Sequence, residues 1–129
     1  VNLRKQHPIE TLGQVVSTAD IVTLLDKVTD VHVDDSLREY IVKIVQSTRT
    51  HPEIDLGVST RGSLALFKTS QALAAINGRD YVIPDDIKRL IYYTIGHRVI
   101  LKPESRLRGT TPQRLLDSII EKVRIPLEV

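Results

Sequence analysis

The sequence predicts an all-α domain, a bundle of about five helices with at most very short strands. Three observations predict it. Five segments repeat apolar residues at helical spacing, and cap, proline or glycine signals bound them. The apolar pieces between them are too short to define a sheet. At 129 residues, 41% hydrophobic and 26% charged, the chain suits one folded domain with a single core. With four Tyr, one Phe and no Trp, that core must be aliphatic.

Residues 1–16, VNLRKQHPIETLGQVV, show no period and carry His7-Pro8 and Gly13. They read as a linker or extended lead-in, with a helical domain over residues 17–129. Ser17 and Asp20 then resemble a capping pair ahead of a stripe of Ile21, Leu24, Leu25 and Val28. After Asp34-Asp35, the residues Leu37, Tyr40, Ile41, Ile44 and Val45 fill every place of the helical template. Glu39 and Lys43 can pair on the outside of this second helix, and Pro52 stops it.

The third helix, from about Thr60 to Ile76, is apolar on most sides, as a central helix would be, and stops at Asn77-Gly78. Pro84, Asp85 and Asp86 open the fourth, whose stripe is Ile87, Leu90, Ile91 and Ile95, with Asp85 and Arg89 spaced to pair. Thr111 and Pro112 open the fifth, with Leu115, Leu116, Ile119, Ile120 and Val123 as its stripe. Val31–Val33, Tyr81–Val82 and Val99–Leu101 are long enough only for brief strands, and residues 102–110 read as a polar loop.

Several classes of chemistry find no support. Without Cys there is no disulfide framework or thiol nucleophile. No apolar stretch reaches the roughly 18–20 residues that span a bilayer, so membrane insertion is not expected. His7, His32, His51 and His97 lie too far apart for a short metal-ligand pair. Capping accounts for Asp34-Asp35 and Asp85-Asp86. No G-x-x-x-x-G-K-[ST] loop is present. The formal charge of +2 makes no demand for nucleic acid, and Lys102, Arg106, Arg108 and Arg114 read as a solvated basic surface. Val1 in place of an initiator Met reads as a piece of a longer or processed protein.

One stretch breaks local rules. In LGVSTRGSLALF, residues 56–67, Ser59 or Thr60 stands where a helix cap belongs, yet Arg61 lies in the first turn. A cation there opposes the helix dipole by roughly 0.3–1 kcal/mol. Gly62 costs up to about 1 kcal/mol more against Ala. Both features make sense at an anion site, where free N–H groups and an arginine fork meet a phosphate and glycine permits close approach.

The run Thr48-Arg49-x-His51-Pro52-x-x-x-Leu56-Gly57-x-Ser59-x-Arg61 carries a resemblance, together with Ala65-Leu66, Gly78-Arg79-Asp80-Tyr81-Val82-x-Pro84-Asp85-Asp86-x-Lys88 and His97-Arg98. In this order and spacing the blocks resemble the C-terminal helical lid of MoxR-family AAA+ ATPases, over most of the chain from about His7-Pro8 onward. The resemblance implies that Arg61 is the sensor-2 arginine that reaches ATP phosphates, with Ser59, Gly57 and Gly62 forming the supporting turn. It implies an AAA+ core domain of the same polypeptide that holds ATP and Mg2+. It further implies a cytoplasmic, homo-oligomeric ring with a chaperone-like role, often partnered by a von Willebrand factor A domain protein. The piece alone would not be catalytic. Thr60 and Gly62 stand where such sequences usually carry Pro and Ala, and Ile83 where they carry Thr. The rival readings are a helical DNA-binding module and a protein-docking module that uses no nucleotide.

Overall fold

The computed structural model describes residues 7–125. The first six residues of the expected lead-in therefore lie outside the described region. His7 to Val16 are exposed, with a single 3-10 turn at Pro8–Thr11. Six α-helices follow: α1 (Thr18–Thr29), α2 (Asp35–Thr50), α3 (Thr60–Ile76), α4 (Pro84–Ile95), α5 (Pro103–Leu107) and α6 (Pro112–Lys122). The domain is all-α, as the spacing predicts. The sixth helix is α5, in the segment expected to be a loop. Pro103 at its first turn and Glu104 beside it favour a helix start, and its five residues are too few to show a period.

The remaining regular structure is small. Two strands, β1 (Ile54–Leu56) and β2 (Ile100–Leu101), pair antiparallel, with Ile54 opposite Leu101 and Leu56 opposite Ile100. The brief strand expected at Val99–Leu101 thus finds a partner that the sequence did not reveal. His32 and Tyr81 form an isolated parallel bridge, which ties the link after α1 to the link after α3.

Helix ends follow the chemistry read from the sequence. Asp20 returns to the Ser17 N–H at 2.8 Å while its own N–H donates to Ser17 Oγ at 3.1 Å, a reciprocal box. Thr111 Oγ1 accepts from the Arg114 N–H at 3.3 Å. At the end of α3, Gly78 takes φ +73°, which a side chain would resist, and the Arg79 N–H returns to the Ala74 carbonyl at 2.9 Å. Glu39 and Lys43 do pair, at 2.9 Å. Asp85 does not meet Arg89; it lies 3.9 Å from Lys88 instead.

The core lies between α2, α3, α4 and α6, with α3 crossing α4, α2 and α1. Leu37, Ile44, Leu66, Ile87, Ile95 and Leu116 are among its fully or nearly fully buried members. Tyr40 is also fully buried, and its hydroxyl has no hydrogen-bond partner among the described residues. Burial pushes this phenol above its usual range. An orphan buried hydroxyl costs folding free energy that a same-shaped apolar ring would not. Tyr40→Phe is therefore expected to raise stability by up to about 1 kcal/mol, read as a higher urea midpoint at unchanged m-value.

Helix α1 departs from the others. Its apolar stripe is present, yet none of its residues is buried, and Leu24 and Leu25 remain 52% and 63% exposed. It touches the bundle through α3. Beside it runs a groove of about 770 Å³ lined by Leu25, Val28, Val33, Phe67 and Ala72 among others. Among the described residues no helix is long and apolar enough to cross a membrane.

Candidate functional site

The rule-breaking stretch lies where β1 turns into α3. Ser59 holds the N-cap position in extended backbone, but its side chain makes no capping bond, and Thr60 is the first helical residue. The expected side-chain cap is thus absent. The first turn of α3 contains no acid, so the positive end of its dipole meets no compensating charge from its own residues. Arg61 is exposed, and its side chain has no protein hydrogen-bond or ion-pair partner among the described residues.

The loop ahead of Arg61 is held firmly. Thr48, fully buried at the end of α2, accepts the Val58 N–H on Oγ1 at 2.9 Å and donates to the Val45 carbonyl at 2.6 Å. Arg49 Nε donates to the Val58 carbonyl at 2.7 Å. His51 Nδ1 accepts the Glu53 N–H at 3.2 Å and shapes the turn between α2 and β1. Thr48, Arg49 and His51 form the conspicuous T-R-x-H block, so this spacing serves to anchor the loop. In the sequence Arg49 and His51 stand out only as part of the run that carries the resemblance, and nothing there shows that they anchor the loop.

Both supporting glycines are set by close packing. A Cβ on Gly57 would stand 2.7 Å from the Arg49 Cα and backbone nitrogen, so the loop can cross the end of α2 only without a side chain there. Gly62 is buried, and its bare Cα faces the Val58 side chain, with Ile95 and the Arg98 stem nearby. What approaches Gly62 closely is this domain's own interior. Gly57→Ala pushes backbone against backbone and is expected to lower stability by about 2–3 kcal/mol, measured by denaturant unfolding.

Two further arginines surround the same helix mouth. Arg98 Nε donates to the Thr94 carbonyl at 3.3 Å, and its Cδ lies 3.7 Å from where a Gly62 Cβ would stand. Among the described residues the ion pairs are Arg38–Asp35, Lys43–Glu39, Arg79–Asp86, Lys88–Asp85 and Arg108–Glu53, and Arg49, Arg61 and Arg98 take part in none of them. Arg49 and Arg98 are turned through Nε to backbone carbonyls, which leaves Arg61 as the guanidinium at this helix start with no protein partner among the described residues, an arrangement suited to an anion.

The other basic cluster is differently occupied. Arg108 reaches Glu53 at 3.6 Å and Ser105 at 3.4 Å, and Arg106 reaches the Leu101 carbonyl at 3.4 Å. Those two side chains tie α5 to its surroundings. Among the described residues no three His, Asp or Glu side chains gather as a metal site.

The AAA lid domain model matches residues 46–119, from the end of α2 into α6. The chain belongs to the AAA lid domain family. The lid is 48% identical over 124 residues to the uncharacterized protein YeaC of Bacillus subtilis, covering 96% of this chain and 39% of that protein. It is 28% identical over 122 residues to the chaperone MoxR1 of Mycobacterium tuberculosis, covering 88% of this chain and 32% of that protein. A crystal structure of a candidate ATPase from Cytophaga hutchinsonii matches with a TM-score of 0.86 at 32% identity, covering 88% of this chain and 37% of that one. The lid thus spans between about a third and two-fifths of the length of these relatives. Together they identify it as a lid of the MoxR-type AAA+ ATPases.

Proposed function

We propose that this lid closes over ATP bound to an AAA+ core domain of the same polypeptide, and that Arg61 is the sensor-2 residue that contacts the phosphates. The observation that carries this reading is the exposed guanidinium of Arg61, without a protein partner among the described residues, in an acid-free first turn. The residues fit a phosphate and not its metal. No carboxylate lies in that turn, so Mg2+ belongs with the core. Bound ATP would supply the phosphoanhydride whose hydrolysis drives the cycle. The lid's own contribution is to bind and orient the phosphate chain through Arg61, with Gly57, Ser59 and Gly62 shaping the turn that presents it.

The exposed flank supports a neighbouring domain. Leu12, Val15, Ile21, Leu24 and Leu25 are all exposed apolar side chains, the kind of surface that a neighbouring domain covers. In this proposal the core of the same polypeptide covers that flank. A homo-oligomeric ring, a chaperone-like remodelling role and a von Willebrand factor A domain partner extend the reading from the MoxR-type relatives.

Hydrogen exchange tests the proposal. In the full-length protein, a non-hydrolysable ATP analogue is expected to slow exchange of the amides at residues 60–63, and Arg61→Ala is expected to abolish that slowing. Unchanged exchange there, while the core domain is saturated with the analogue, contradicts the reading.

A further inference from the structure

We propose that Thr48 and Arg49, in the last turn of α2, are positioning residues that set where Arg61 points. The inference rests on the reading of Arg61 as a phosphate contact. Val58, three residues ahead of Arg61, is gripped through every group it has. Its N–H goes to Thr48 Oγ1 at 2.9 Å and its carbonyl receives Arg49 Nε at 2.7 Å. Its side chain is fully buried and faces the bare Cα of Gly62, the residue after Arg61. Gly57, just before it, fits only because its own bare Cα rests on the Arg49 backbone.

The Ser59 side chain makes no capping bond, so no local side chain fixes the first turn. The direction of Arg61 is therefore inherited from α2 through Val58. Arg49 is exposed and makes no ion pair, and its Nε bond to Val58 is the one side-chain hydrogen bond it forms among the described residues. A charge-assisted bond to a loop carbonyl is stronger than a neutral one and well directed. Its value is geometric, because displacing a contacting group by about 1 Å can cost two orders of magnitude in rate.

The test is a double-mutant cycle on ATP turnover by the full-length protein, core and lid together. Arg49→Ala is expected to lower turnover about tenfold, the effect of losing one charge-assisted bond. In an Arg61→Ala background the same change is expected to do nothing further, since it acts through Arg61. Arg49→Gln keeps an N–H at the position of Nε and removes the charge, so it is expected to retain most of the turnover. Thr48→Ser keeps the hydroxyl and should do the same, whereas Thr48→Val should match Arg49→Ala. A loss that persists in the Arg61→Ala background, or an Arg49→Gln protein as impaired as Arg49→Ala, overturns the positioning role. Full turnover in Arg49→Ala also overturns it while Arg61 keeps its assignment. Full turnover in Arg61→Ala alone removes the phosphate reading on which the inference stands.

Discussion

Arg79→Ala is expected to destabilise the isolated lid by about 3 kcal/mol, the low end for stranding a buried charge because one edge of Arg79 reaches solvent. Arg79 grips Asp86 with two bonds, Nη1 to Oδ2 at 2.8 Å and Nη2 to Oδ1 at 2.7 Å, and Asp86 is only 3% exposed. The same carboxylate accepts the Ile83 N–H at 3.0 Å, the half of a capping box that remains when the N-cap residue is Ile. Arg79 also donates to the Tyr81 carbonyl at 2.9 Å. One ion pair therefore closes the turn between α3 and α4, and removing the cation leaves a buried anion without its main partner.

The pH dependence has a definite sign. Burial alone pushes the Asp86 carboxyl up, but the Arg79 hydrogen bonds, the Ile83 N–H and the nearby charges of Arg79 and Arg89 outweigh it and hold the group below the usual range. A depressed folded-state pKa means stability that is fully present above the unfolded value near 4 and is lost as pH falls through the folded value. In Arg79→Ala the burial effect gains ground and the carboxyl moves up. The variant should then recover part of its deficit as pH is lowered toward 4. Urea unfolding of both proteins between pH 7 and pH 4 checks this, and an equal deficit at both ends contradicts it.

That pair shows where sequence reading runs out. Arg79 and Asp86 are seven residues apart across a turn, a spacing that no helical or strand template connects. The available signal was Asp86 three residues after Ile83, the position from which a carboxylate reaches back to the N-cap N–H. By contrast α2 was fully legible, because Leu37, Tyr40, Ile41, Ile44 and Val45 form one face and all five are buried. Helix α5 and strand β1 were not, since five and three residues give no period. Periodicity also identified the stripe of α1 without telling what covers it. An apolar face facing solvent and one facing a core read alike until the rest of the fold is in place.

Arg61→Ala is expected to reduce kcat/KM for ATP in the full-length protein roughly 10- to 100-fold. Each charge-assisted bond to a phosphate contributes about 1.5–3 kcal/mol, and each 1.36 kcal/mol is tenfold in rate. The isolated lid should unfold at the same temperature as the parent chain or slightly higher, because an exposed cation leaves the positive end of α3. Arg61→Lys should recover only part of the rate, since an ammonium offers no planar fork. This separation of activity from stability is what distinguishes a contact residue from a structural one. A lid that loses stability with Arg61→Ala, in step with its activity, contradicts the assignment.

The position of Arg61 was legible as a local conflict, and the resemblance supplied the role proposed for it. What could not be read was the support: Thr48 and Arg49 are nine or more residues from Val58, and only the fold brings them to it. Gly62 was read as a close-approach residue and Gly57 only as part of the supporting turn; what packs against them is the Val58 side chain and the backbone of α2.

The most direct measurement is a structure of the full-length protein with a non-hydrolysable ATP analogue in the core domain. With the lid closed, the Arg61 guanidinium should stand about 3 Å from phosphate oxygens, while Val58 keeps both of its bonds to α2. A closed lid whose Arg61 lies about 8 Å or more from every phosphate oxygen, or turns to a protein carboxylate instead, would contradict the account.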